Sequence, residues 1–328
     1  MRRRTVLALL AGTMAPWPPM VVAESVGRLR NIGVLIGLAE TDPEVPRYVA
    51  IFRQALRDLG WIEGYNIRIH YRSTFEADRL RVLGNELVAL QPDVIVASSS
   101  IAAGALLRET RTIPVVFVTA SDPIGDGFVA TLARPNGNAT GFTGNLSSFC
   151  DKWLELLQQI APGTTHVTAV CHPDSAPASG TYFMPALQAA AAAVSLGLDV
   201  ALLREPADIE RVLATRKAGG GIVILPDQFT CVYRASIAES AARHRVPAIY
   251  PFRPFAEAGG LISYGVDVLD LYRRAPTYVH RILNGARPAD LPVQLPTKIE
   301  LVINRGAARM LGLPVPRIML VAADEVIE

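Results

Sequence analysis

"ISYGVDVLDLYRRA", residues 262–275, reads as a strand that stops abruptly and becomes a helix. Tyr264, Gly265 and Asp267 stand at the junction: an aromatic ring, a residue free to take backbone angles that others resist, and a carboxylate. A strand running straight into a helix is the unit of a parallel sheet, so the neighbouring sequence should repeat it.

It does, on both sides. From Arg30 onward, "IGVLIGL" (32–38), "NIRIHYRS" (66–73), "DVIVASS" (93–99), "PVVFVTA" (114–120) and "ATGFT" (139–143) read as strands. Between them lie helical patterns at 45–61, 78–90 and 101–110, and a helical turn at 124–133. The series restarts after "GFTGNLSS" (141–148). A helix at 148–160 leads into strands "HVTAVCH" (166–172), "DVALLRE" (199–205), "GIVILP" (221–226), "PAIYPF" (247–252) and "LISYG" (261–265). A long helix (267–284), a strand (298–303), a short helix (304–311) and a tail close the chain. The fold class is therefore α/β, with two Rossmann-like modules of similar size, each a parallel sheet covered on both faces.

The bulk composition fits two lobes. The chain has 328 residues, half of them hydrophobic, and only 19% are charged. "MRRRTVLALLAGTMAPWPPMVVAES" has a basic start, an apolar run and a small-residue site before Glu24, which predicts a signal peptide over residues 1–23 and a periplasmic protein. "RRTVLA" also resembles a twin-arginine export signal. Without the three leader arginines, 29 of the 32 basic residues remain against 30 acidic ones, a net of −1. That balance offers no electrostatic footprint for nucleic acid. The three cysteines fit neither a disulfide framework nor a zinc site and read as small buried hydrophobes.

In open parallel sheets, ligands sit beyond the carboxyl ends of the strands. Those ends are "GLAETD" (37–42), "SSS" (98–100) and "ASDP" (120–123) in the first module. In the second they are "HPDS" (172–175), "PDQFT" (226–230), "YPF" (250–252) and "YGVD" (264–267). The candidate ligand-binding residues are thus Leu38, Asp42, Ser98, Ser99, Ser100, Ser121, Asp122, His172, Asp174, Ser175, Asp227, Gln228, Phe229, Phe252, Tyr264 and Asp267. There is no GxSxG elbow, Walker A loop or HExxH, and "GGG" (219–221) precedes its strand instead of following it. The expectation is a binding protein and not an enzyme, with no cofactor and no metal.

Several segments together carry a family resemblance: "RNIGVLIGLAETDPE", "FRQALRDLGWIEGYNIRIHYR", "PVVFVTASDPIGDGFVATLARPNGNATGFTG", "PAIYPFRPFAEAGGLISYGVD" and "ILNGARPADLPVQLPTKIELVINRGAARMLGL". Over about residues 28–328 the chain resembles the substrate-binding proteins of bacterial ABC transporters with the type I periplasmic fold, in the branch that includes tryptophan- and tyrosine-binding members. The resemblance implies lobes of residues 28–144 plus 267–297 and 145–266 plus 298–328, crossed near Asn145, Val266 and Thr297. It implies a small-molecule ligand, an inner-membrane ABC permease as partner, and a monomer. It matches Asp227 to the carboxylate that receives a ligand ammonium, and Ser98–Ser100 to a loop that holds a carboxylate. Two departures stand out: "CHPDS" puts His172 where many relatives have asparagine, and Asp227-Gln228-Phe229 replaces Asp-Asn-Thr.

The residues leave other roles open. Asp227 and Asp267 equally suit helix N-caps, Ser98–Ser100 suit a turn, and Phe229, Phe252 and Tyr264 suit either cleft or core. His172 suits a cleft donor, a pH-sensitive group or an exposed turn residue more than a metal ligand. A periplasmic sensor using the same cleft, or a secreted Rossmann-like enzyme, would share most of these features.

Overall fold

The computed structural model describes residues 28–144, 147–215, 217 and 219–328. The leader expected over 1–23 and the crossing expected at Asn145 lie outside the described residues.

The first sheet holds β1 (Arg30–Ile36), β2 (Ile67–Ser73), β3 (Val94–Ser98), β4 (Val115–Ala120) and β5 (Ala139–Thr143), in the order β2-β1-β3-β4-β5. All its pairings are parallel. Its connections are α1 (Glu44–Asp58), α2 (Ala77–Ala89) and α3 (Ser100–Glu109). The apolar positions of α1 explain its placement: Val45, Tyr48, Phe52, Ala55 and Leu56 fall on one face and are buried. Gly60, at φ 85°, ends that helical run in a conformation only glycine takes freely.

The second half begins with α4 (Phe149–Ile160) and continues through β6 (His166–Cys171), α5 (Met184–Ala193), β7 (Gly197–Leu202), α6 (Ala207–Ala214) and β8 (Gly220–Ile224). Then come α7 (Gln228–Val232), α8 (Arg234–Arg243), β9 (Ala248–Tyr250), α9 (Arg253–Glu257), β10 (Ile262–Val266), α10 (Val268–Leu283), β11 (Ile299–Asn304), α11 (Arg305–Leu311), α12 (Arg317–Ala322) and β12 (Glu325–Ile327). The second sheet has the order β12-β11-β10-β9-β8-β6-β7. It is parallel except where β10 meets β11, with Gly265 opposite Glu300.

That antiparallel pair follows from the chain path. After β10, α10 leaves the second sheet and packs on α1, β4 and β5 of the first. Tyr272 of α10 stacks on Tyr48 of α1 at 4.4 Å and 12°. Gln294 then bridges to Phe142 of β5 before the chain returns as β11. The molecule is therefore two α/β lobes, and among the described residues the chain passes between them after β10 and again before β11.

The opening motif behaves as expected in outline and differs in cause. Asp267 caps α10, accepting the Asp270 N–H at 3.0 Å. Gly265 is required for space and not for its backbone angle: a Cβ there would lie 1.9 Å from the Pro251 carbonyl oxygen. Residues 124–133 form turns with no helix, Gly127 taking φ 72°. The tail supplies α12 and β12, the latter pairing parallel to β11. All three cysteines are free. Among the described residues no helix is long and apolar enough to cross a membrane.

Candidate functional site

The carboxyl ends of the two sheets face each other across two adjoining cavities. The larger, about 90 Å³, is mostly apolar, with Leu38, Tyr48, Cys231, Phe252, Phe255 and Val268 in its wall. Its polar wall is Ser98, Ser99, Thr119 and Gln228, with Glu44 and Arg234 as charged members. The second, about 70 Å³, is the more polar of the two: Ser99, Ser100, Thr119, Ser121, Ser175, Asp227 and Gln228 line it, with Ile101, Pro177, Pro226 and Phe252. Ser99, Thr119, Gln228 and Phe252 belong to both walls.

The first lobe reaches this space with strained backbone. Ser99 has φ 108° and Thr119 φ 65°, and neither is glycine. For the β-branched Thr119 this is a true outlier, and such strain persists only where surrounding structure enforces it. The enforcement is visible. The β4–β5 register shifts between Val118 and Ala120, so Thr119 sits on a bulge. Ser99 donates its N–H to the Val118 carbonyl at 2.9 Å. Its hydroxyl oxygen caps α3 by accepting the Ala102 N–H at 3.3 Å. Next to them, Gly37 lets the lobes meet closely: a Cβ there would lie 2.7 Å from both Gln228 Oε1 and Ser99 Oγ.

The second lobe contributes a buried carboxylate. Asp227 caps α7, accepting the Thr230 N–H at 2.7 Å, the His172 N–H at 3.0 Å and the Ser175 hydroxyl at 3.1 Å. Burial pushes its carboxyl up to about 6, and those hydrogen bonds offset only part of the shift. Among the described residues its hydrogen-bond partners are all neutral donors. The ligand and cap roles coexist here: Asp227 is a helix cap whose carboxylate lies in the wall of the polar cavity.

Leu38, Ser98, Ser99, Ser100, Ser121, Ser175, Asp227, Gln228 and Phe252 are brought together in the two walls. The other expected residues lie elsewhere. Asp42 is turned onto Arg234. Asp122 accepts the Gly125 N–H at 2.9 Å in its own loop. Phe229 stacks on the His172 ring at 4.8 Å and packs into the second lobe's core, and the exposed Asp174 donates its N–H to His172 Nδ1 at 3.2 Å. Burial lowers the His172 pKa. Tyr264 packs edge-on against Phe149, and its carbonyl accepts the Trp153 indole N–H at 2.8 Å, so it is a packing residue of the crossing. Asp267 pairs with Lys298 at 2.7 Å.

Sequence reasoning missed Gly37, Glu44, Tyr48, Thr119, Cys231 and Arg234. Thr119 and Gly37 stand at strand ends already under scrutiny; the others sit inside helical patterns, where only tertiary packing turns them inward. Among the described residues there is no cluster of His, Cys, Asp and Glu side chains placed to hold a metal.

Known proteins resemble this chain over most of its length. The chain is similar to a tyrosine-binding protein of Clostridioides difficile, 23% identical over 87% of this chain and 81% of that one. Its structure resembles an ABC domain from Streptococcus pneumonia in complex with L-Trp, with a TM-score of 0.84 and 23% identity, covering 91% of this chain and all of the other. It also resembles a ligand-free, open substrate-binding protein with adhesive properties from Clostridium difficile, with a TM-score of 0.69 and 20% identity over 92% of this chain and 99% of the other. The model of the ABC transporter substrate binding protein family matches residues 41–327. The chain belongs to that family of ABC transporter substrate-binding proteins.

Proposed function

We propose that this protein captures an amino acid, or a small carboxylate with an aromatic or apolar body, between its two lobes and delivers it to an inner-membrane ABC permease. The observation that carries the reading is the pair of adjoining cavities. The polar one has the serine-rich end of β3 and α3 on one side and the Asp227 carboxylate on the other. Those groups suit a ligand carboxylate and a ligand ammonium respectively. The apolar one, walled by Leu38, Tyr48, Phe252 and Phe255, suits the side chain. The named ligands of the two relatives above, tyrosine and L-Trp, fit that division of labour.

In this reading residues 28–144 plus 267–297 and 145–266 plus 298–328 move as two bodies. Residues 1–23 direct export to the periplasm. Binding needs no cofactor, and the protein works as a monomer. Calorimetric titration with L-tyrosine, L-tryptophan, tryptamine and 3-indolepropionate tests it. Binding of the amino acids, with weaker binding when either charged group is missing, supports the assignment. Equal binding of tryptamine and tryptophan sinks the serine-loop role, and equal binding of 3-indolepropionate and tryptophan sinks the Asp227 role.

A further inference from the structure

Asp42 and Arg234 are 192 residues apart in sequence and belong to opposite lobes. Asp42 lies in the loop before α1, and Arg234 is the first residue of α8. Arg234 Nη1 donates to Asp42 Oδ2 at 2.8 Å and Nη2 donates to Oδ1 at 2.9 Å, a bidentate fork. The two side chains are only 12% and 7% exposed. Each is also held by its own lobe: Nη1 donates to the Cys231 carbonyl at 2.8 Å, and Asp42 Oδ1 accepts the Glu44 N–H at 2.9 Å. Each partner thus has one anchor in its own lobe besides the pair between lobes. A second interlobe pair, Arg47–Glu257 at 3.1 Å, lies beside them and is more exposed.

Arg234 lines the apolar cavity and Asp42 does not. We infer that Asp42 is a positioning residue that draws Arg234 into the cavity wall as the lobes meet, so that this part of the ligand site exists only in the closed arrangement. The inference rests on the reading that the two lobes close on a ligand. Its logic is one of register more than strength. Two charges leaving water lose most of what their attraction returns, but a forked pair accepts only one relative position of its partners. The pair therefore selects one closed geometry. It also adds a term to closure that no ligand supplies.

The test is small-angle X-ray scattering of the ligand-free mature protein in low and high salt, for the wild type, D42N, R234Q and the double variant, with circular dichroism to confirm that each is folded. D42N removes the charge and nearly preserves shape, while R234Q removes the charge and shortens the side chain. The expected result is a larger radius of gyration in each single variant, reflecting a closed-to-open ratio lower by about tenfold. The double variant should be no more expanded than either single one, and because the pair is buried the wild type should stay more compact than the variants in high salt as well as low. A merely structural role for each residue predicts additive effects instead. Scattering of D42N identical to wild type, or expansion that adds in the double variant, would overturn the inference while leaving ligand capture intact. One scattering curve for every sample, unchanged by saturating L-tyrosine or L-tryptophan that calorimetry shows to be bound, would overturn the closing-lobe reading along with it.

Discussion

The two rims that meet at the cavities are built in opposite ways. The five-stranded lobe puts two hydroxyl residues on strained backbone, Ser99 at φ 108° and Thr119 at φ 65°, beside Gly37, Leu38, Glu44, Tyr48 and Ser98. The seven-stranded lobe comes with relaxed backbone at Gln228 and Phe252, and with charge and rings: Asp227, Arg234, Phe252 and Phe255. The first side adds hydroxyls whose directions are fixed by the main chain, the second adds the buried Asp227 carboxylate and the Arg234 guanidinium, and both supply apolar area. A ligand held between them would be oriented by the first and selected by the second.

The largest effect expected from breaking this contrast lies at the crossing. Gly265→Ala forces a Cβ to within 1.9 Å of the Pro251 carbonyl oxygen, and backbone cannot yield as a side-chain tip does. Thermal unfolding should show a loss of about 3 kcal/mol or more. Next is Asp227→Ala, which leaves the Thr230 N–H, the His172 N–H and the Ser175 hydroxyl without their acceptor. The cost in denaturant unfolding should be about 2 kcal/mol.

Asp227 also gives a pH signature. Its folded pKa, about 6, lies above the unfolded value near ~3.9. The folded state therefore binds the proton more tightly. Its contribution is fully present below the unfolded pKa and is lost as pH rises through about 6. Asp227→Asn should flatten the melting-temperature profile in that window. A ligand whose ammonium pairs with Asp227 should in turn bind more weakly as pH falls below that pKa.

Gly37→Ala separates binding from stability. Its Cβ would meet Gln228 Oε1 and Ser99 Oγ, one on each lobe, at 2.7 Å. Ligand affinity should fall about tenfold, ~1.4 kcal/mol, while the melting temperature of the unliganded protein changes little. The smallest effect belongs to Glu257→Gln, which leaves the Arg47–Glu44 pair in place: the Arg47–Glu257 pair is partly exposed and screened, so closure should change by less than about 1 kcal/mol, and less still in high salt.

Much of this was legible in the sequence because strand ends announce themselves. "SSS", "PDQ" and "YPF" follow short apolar runs, and the rule that ligands lie beyond such ends picked out Ser98–Ser100, Asp227, Gln228 and Phe252 without any contact information. Short or tertiary features were not legible. The three-residue β12 is too brief to show alternation, and its partner β11 is over twenty residues away. Thr119 looks like an ordinary strand residue until the β4–β5 bulge turns it. Gly265 was assigned the right importance for the wrong reason, since nothing local tells of the Pro251 carbonyl. Arg234 lies in a plain helical pattern, and only the meeting of the two lobes sets it against Asp42.

The central claim is that the space between these rims holds an amino acid or an aromatic or apolar carboxylate. Native mass spectrometry of the mature protein from its own source, followed by release and identification of what is bound, tests it most directly. The prediction is one such molecule per chain, retained in native conditions and held at lower occupancy by Gly37→Ala. A stoichiometric sugar, nucleotide or metal ion in its place would contradict it.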